Sequence, residues 1–127
     1  MGAPSRRSLV GLLLLLVLVV GGAAEWWREH QAQQLGRELA QLARPGDIDM
    51  VSSTSCVFCT RARQFMTLQQ VPFSECLIET DPVCAQRYQA LGAPGTPTLL
   101  VRGQVQLGFN PVLVREALRL RPARPGA

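Results

Sequence analysis

The chain contains no lysine; all thirteen basic side chains are arginine. That bias points to a GC-rich coding sequence and carries no chemistry of its own. There is one histidine, His30, in a polar helical stretch, and it reads as a solvated surface residue rather than a ligand. Arg6 and Arg7 supply two of the four net positive charges. The remainder lacks the clustered basic face that a nucleic-acid binder needs, so no nucleic-acid partner is expected. No internal repeat is present. A length of 127 residues leaves room for one small domain.

Charge is also missing from Ser8 to Ala24, and Leu12 to Val20 is unbroken apolar sequence. Behind Arg6 and Arg7, this has the form of a signal peptide or a membrane anchor. It falls slightly short of the ~20 residues of a typical spanning helix. Trp26-Trp27 suits an interfacial aromatic belt, whereas Gly22-Ala23-Ala24 would suit a cleavage site. The expectation is a retained single-pass anchor over residues 1–24, with a cleaved signal peptide as the alternative. The short basic leader stays inside, which puts the rest of the chain outside the cytoplasm. In a Gram-negative cell that is the periplasmic side of the inner membrane. Arg28, Arg37 and Arg44 oppose this orientation when counted crudely, and Glu25, Glu29 and Glu38 count little.

Proline is absent from Glu25 to Arg44, and Ala32, Leu35, Leu39 and Leu42 form one helical stripe. Two heptads are too few for a coiled coil. Residues 25–46 read as a helical stalk, with room to pack on the following domain, ended by Arg44-Pro45-Gly46-Asp47. Beyond it the pattern predicts a strand over Ile48–Ser52 and a helix over Val57–Gln70. That helix is expected to turn Phe58, Ala62, Phe65 and Met66 to one face. A strand over Phe73–Glu79 and a helix from Asp81-Pro82 to about Leu91-Gly92 follow. Thr98–Val101 and Val105–Phe109 should form a hairpin about Arg102-Gly103-Gln104, before a helix from Asn110-Pro111 to about Leu120. This βαβαββα order predicts a helix-flanked sheet, its first two strands parallel and its hairpin antiparallel. Residues 122–127 read as a flexible tail.

The chemistry is carried by Cys56-Val57-Phe58-Cys59. Thiols at i and i+3 of a helix start share one side of the first turn and can form a disulfide reversibly. The thiolate is the reactive species, and the unpaired N–H groups and dipole of a helix N-terminus stabilise it. A CxxC by itself also fits half of a metal site. Further on, Gly95-Thr96-Pro97-Thr98 precedes the apolar run Leu99–Val101. Proline at a strand start marks an edge, bend or turn, and a cis Thr96–Pro97 bond fits there.

Together these residues resemble the glutaredoxin branch of the thioredoxin-like superfamily. The match rests on Val51-Ser52-Ser53-Thr54-Ser55-Cys56-Val57-Phe58-Cys59-Thr60-Arg61-Ala62-Arg63, on Gly95-Thr96-Pro97-Thr98, on Gly103 and on Gly108-Phe109-Asn110-Pro111. It covers residues 47–121 and implies an α/β, thioredoxin-like fold after the N-terminal membrane helix. It makes Cys56 the attacking thiol and Cys59 the inward-facing resolving thiol; independently of the resemblance, Cys56 stands nearest the helix N-terminus, with Arg61 and Arg63 close in sequence. Thr96, Pro97, Val57 and Phe58 would contact substrate, with the Thr96 backbone able to pair with an extended chain. Val57-Phe58 departs from the Pro-Tyr common in glutaredoxins, and no proline or histidine stiffens or charges that turn. Glutathione-binding members carry paired glycines and an acidic residue where this chain has Gly108-Phe109-Asn110-Pro111. Protein thiols and disulfides are therefore the expected partners, with no cofactor and a monomeric chain.

Cys76 and Cys84 lie outside the family pattern. An even cysteine count in an oxidising compartment suggests a structural disulfide; two inert buried thiols or a relay pair are the alternatives. No metal site is expected, because C-x2-C with C-x7-C is not the spacing of a zinc ribbon or finger. The rival class is an iron–sulfur or metal-binding glutaredoxin-like module.

Overall fold

The computed structural model describes residue 2 and residues 4–120; the tail expected over 122–127 lies outside them. Helix α1 runs from Arg6 to Leu42. It carries no break at residue 24, where the anchor and stalk were expected to meet, because no proline interrupts it before Pro45. Residue contacts divide the chain within this helix, between Gln33 and Gln34. In the first unit the apolar side chains from Leu12 to Val20 are exposed, and α1 is long and apolar enough to cross a membrane. Trp26 stacks on His30 in the same unit, ring centroids 5.4 Å apart.

The second unit begins with the last turns of α1. Leu39 is fully buried, and Gly36 sits where a Cβ would collide with the Gln69 side chain. The end of the expected stalk is therefore core. After it come β1 (Ile48–Ser52), α2 (Val57–Leu68), β2 (Ser74–Leu77), α3 (Pro82–Ala90), β3 (Thr98–Val101), β4 (Gln104–Leu107) and α4 (Pro111–Leu120). The sheet order is β2-β1-β3-β4, with β1 parallel to β2 and antiparallel to β3, and β3 antiparallel to β4. This is the expected βαβαββα order.

Strand alternation assigns the two faces. Ile48, Met50, Leu99 and Val101 pack with Leu39, with Ala62 and Met66 of α2 and with Val114, Ala117 and Leu118 of α4. On the other face Asp49 accepts a hydrogen bond from Arg87 of α3 at 2.9 Å. Beneath the sheet, Arg102 donates to Leu42 O, Leu118 O and Asp47 Oδ2 at 3.2, 2.6 and 2.9 Å, tying the ends of α1 and α4 to the start of β1.

Several boundaries differ from expectation: α2 ends at Leu68 and β4 at Leu107, short of Gln70 and Phe109, and two further differences have a visible cause. β2 is shorter, because Phe73 packs against the core and the chain turns after Leu77, where Asp81 N–H returns to Leu77 O at 3.0 Å. The hairpin turn is Arg102-Gly103 alone, both with positive φ, so Gln104 already pairs with Val101 in β4. This is the short turn that follows the twist of the strands.

Candidate redox site

The register brings Ser52, Leu77, Thr98 and Leu107 to one end of the sheet. β1 leaves that end through the turn Ser53–Cys56, closed by Cys56 N–H on Ser53 O at 3.3 Å. Cys56 is then the N-cap of α2 in extended conformation, and its Sγ accepts a hydrogen bond from Cys59 N–H at 3.1 Å. Caps are usually Ser, Thr, Asp or Asn; here sulfur takes the oxygen's place. The donor that satisfies the helix end also stabilises negative charge on Sγ.

Cys59, one turn on, is fully buried and joined to Cys56 with Cα atoms 5.2 Å apart. Thr96 O lies 3.3 Å from Cys56 Sγ, and the Thr96–Pro97 peptide is cis. Pro97 is buried, whereas Val57 and Phe58 are 60% and 66% exposed beside the sulfur. The buried stripe of α2 is Cys59, Ala62 and Met66, and Phe58 lies off it.

Phe58 instead forms one wall of an open groove of about 620 Å³, with Phe65, Pro97, Leu107 and Phe109. Phe65 and Phe109 meet at 5.4 Å between ring centroids, and Arg61 lies over the Phe58 ring at 5.8 Å. Leu107 and Phe65 were not anticipated as site residues. Leu107 is remote from Cys56 in sequence and is brought there by the sheet register, whereas Phe65 follows Phe58 by two turns of the same helix.

Arg63 does not serve Cys56. Its guanidinium donates to both oxygens of Glu75 on β2, at 2.7 and 2.5 Å. This hydrogen bond lowers the Glu75 pKa from the ordinary value, opposed by partial burial. Glu79 sits just beyond β2 and accepts from Ser53 Oγ and from Thr54 N–H, the latter at 3.2 and 3.3 Å. The Ser53 bond is the main cause of a lowered Glu79 pKa. Asn110 is engaged locally, its Oδ1 accepting from Val112 and Leu113 N–H at the start of α4.

Cys76 lies beside Val51 in the sheet and is joined to Cys84 in the first turn of α3, Cα atoms 5.9 Å apart. Asp81 caps that helix, accepting from Val83 and Cys84 N–H. Among the described residues, no group of three or more His, Cys, Asp and Glu side chains is placed to hold a metal ion.

A parallel β1–β2 pair, an antiparallel hairpin and a CxxC at the head of α2 define a thioredoxin-like fold. Solved structures share it. A point mutant of the thioredoxin-like protein BC3987 superposes with TM-score 0.53 at 21% identity, covering 60% of this chain and 99% of that one. The unmutated BC3987 gives 0.50 at 21% identity, covering 55% and 97%. A glutaredoxin from Methanosarcina mazei Go1 gives 0.49 at 19%, covering 57% and 78%. No curated protein sequence matches the chain significantly. Residues 48–106 match the glutaredoxin family model.

Proposed function

We propose that this domain is a thiol–disulfide oxidoreductase that exchanges electrons with protein disulfides and that α1 holds it at a membrane, facing the periplasm or exterior. The observation that carries the reading is Cys56 Sγ capping α2, with Cys59 buried behind it and Thr96 O beside it. In the reducing direction the Cys56 thiolate attacks one sulfur of a substrate disulfide. The substrate S–S bond breaks, and the departing thiolate takes a proton from water. Cys59, deprotonated, then attacks Cys56 Sγ. The mixed disulfide breaks, the second substrate thiol leaves, and the Cys56–Cys59 bond holds the two electrons' worth of oxidation. Every step runs equally in reverse, and the pair's potential against its partners sets the direction.

Val57, Phe58, Thr96 and Pro97 surround the attacked sulfur and would contact the substrate chain. The groove is mostly apolar, with Arg61 on its Phe58 wall, and favours a protein segment that lays apolar side chains along it. Asn110 supplies no carboxylate at the position where glutathione-binding relatives carry one, and its side chain already caps α4. Cys76–Cys84 is assigned a structural role.

The test is turnover of the full-length chain in detergent on a disulfide-bonded protein with dithiothreitol as reductant. Cys56→Ser should abolish turnover. Pre-reduced and freed of dithiothreitol, Cys59→Ser should accumulate a mixed disulfide through Cys56, seen by mass spectrometry. Full turnover in Cys56→Ser would reject the reading.

A further inference from the structure

The seven residues between Cys76 and Cys84 include Glu79, and Glu79 reaches across to the turn that delivers Cys56. Its carboxylate accepts the Ser53 hydroxyl and the Thr54 N–H. Ser53 O in turn receives the Cys56 N–H at 3.3 Å, and Ser53 Oγ and Ser55 Oγ lie 3.3 Å apart. A continuous chain of hydrogen bonds thus runs from Glu79 through Ser53 to the backbone of Cys56. The segment carrying Glu79 is fixed at both ends: Cys76 is in the sheet, Cys84 is on α3, and one covalent bond joins them. Ile78 N–H adds a bond to Ser52 O at 3.0 Å.

We propose that Glu79 is a positioning residue for Cys56 and that the Cys76–Cys84 disulfide holds Glu79 in that position. The inference rests on Cys56 being the attacking thiol. Glu79 sets the Ser53–Cys56 turn, and the turn sets the angle at which Cys56 Sγ meets the Cys59 N–H. When the turn loosens, the sulfur spends less time on its donor and the thiolate is less stabilised. The carboxylate's negative charge acts the opposite way, since removing it alone would favour the thiolate. The sign of the change therefore separates the two roles. The lowered pKa of Glu79 agrees with a carboxylate that stays ionised while it accepts these bonds.

The experiment uses full-length chain in detergent carrying Cys59→Ser, which frees the Cys56 thiol, leaves the backbone donor in place and keeps Cys76–Cys84 oxidised. Iodoacetamide labelling of Cys56 is followed against pH, with the labelled site mapped by mass spectrometry and the melting temperature measured on each sample. Glu79→Ala should raise the Cys56 pKa by about half a unit, slowing labelling near pH 7 by about threefold. Glu79→Gln, which keeps a carbonyl acceptor but loses the negative charge, should leave the Cys56 pKa at or slightly below that of the parent. Cys76→Ser/Cys84→Ser should match Glu79→Ala, and combining it with Glu79→Ala should add nothing further. An unchanged or lowered Cys56 pKa in Glu79→Ala would overturn the proposal, even if the melting temperature falls. Additive effects of the two changes would overturn the link to the disulfide. Parent labelling at a cysteine other than Cys56 would overturn the proposal together with the site reading beneath it.

Discussion

At Cys56 a sulfur atom performs the task that an oxygen usually performs at a helix start. Serine is an equally good cap, so Cys56→Ser separates the structural from the chemical role. Compared in their reduced forms, parent and Cys56→Ser should differ in stability by no more than about 1 kcal/mol, while turnover disappears. Chemical denaturation beside the activity assay checks this. Asp47 presents the contrasting case of a residue with no part in the chemistry. Burial pushes its carboxyl up, but hydrogen bonds from Arg102 and the Arg44 N–H, with the charge of Arg102, hold it below its usual value. A carboxyl lowered in the folded state stabilises the fold above its unfolded pKa of about 4. That contribution fades as pH falls through the lower folded value. Asp47→Ala leaves the Arg102 guanidinium buried without its acid and should cost about 3 kcal/mol at neutral pH. Denaturation curves between about pH 2 and 7 should also show a flatter acid limb in Asp47→Asn than in the parent. Cys56, Cys59, Thr96 and Pro97 were legible in the sequence because each belongs to a short motif whose meaning is local. Glu79 was not, because its hydrogen-bond partners are 25 and 26 residues away in the chain. Arg63 was misread for the same reason: Glu75 lies on another strand and takes up its charge.

Among the elements, β2 is an edge strand of four residues, and the disulfide fastens it to α3. The bridge spans a sequence separation of 8. Chain entropy alone gives a loop of that size about 2–3 kcal/mol. Cys76→Ser/Cys84→Ser should lose that amount on urea denaturation of the oxidised protein, with no change in helix content by circular dichroism. An unchanged midpoint would show that the bridge adds nothing to stability. Helix starts were readable from capping chemistry: Asp81-Pro82 and Asn110-Pro111 both cap as their side chains dictate. Strand ends were less so. Phe73 and Glu79 have strand-like neighbours, yet packing and a return of the chain after Leu77 end β2 earlier. The last turns of α1 looked like part of a stalk because their apolar stripe is short. The stripe already puts Leu39 on one face, but what covers that face, the sheet's core that buries Leu39 and Ala43, is a tertiary fact.

For the whole molecule, the exposed apolar surface from Leu12 to Val20 has to be covered by something in the cell. If lipid covers it, carbonate-washed membranes should retain the full-length chain, and a reporter fused after Ala127 should be exported. A processed product starting near Glu25 in the soluble fraction would favour a signal peptide instead. The two sulfur bridges sit in different surroundings. Both helices that hold them have a negative or polarisable group at the head, but of different kinds. α2 begins on the sulfur of Cys56 itself, and α3 begins on the carboxylate of Asp81 beside Cys84. The N–H bond to Cys56 Sγ stabilises the reduced, thiolate form of the first bridge, whereas the Cys84 end of the second is buried away from a reductant. Titration with dithiothreitol should therefore fill the molecule in two instalments. Alkylation and mass spectrometry would count two thiols per chain before four appear, and the simultaneous appearance of all four would contradict the order.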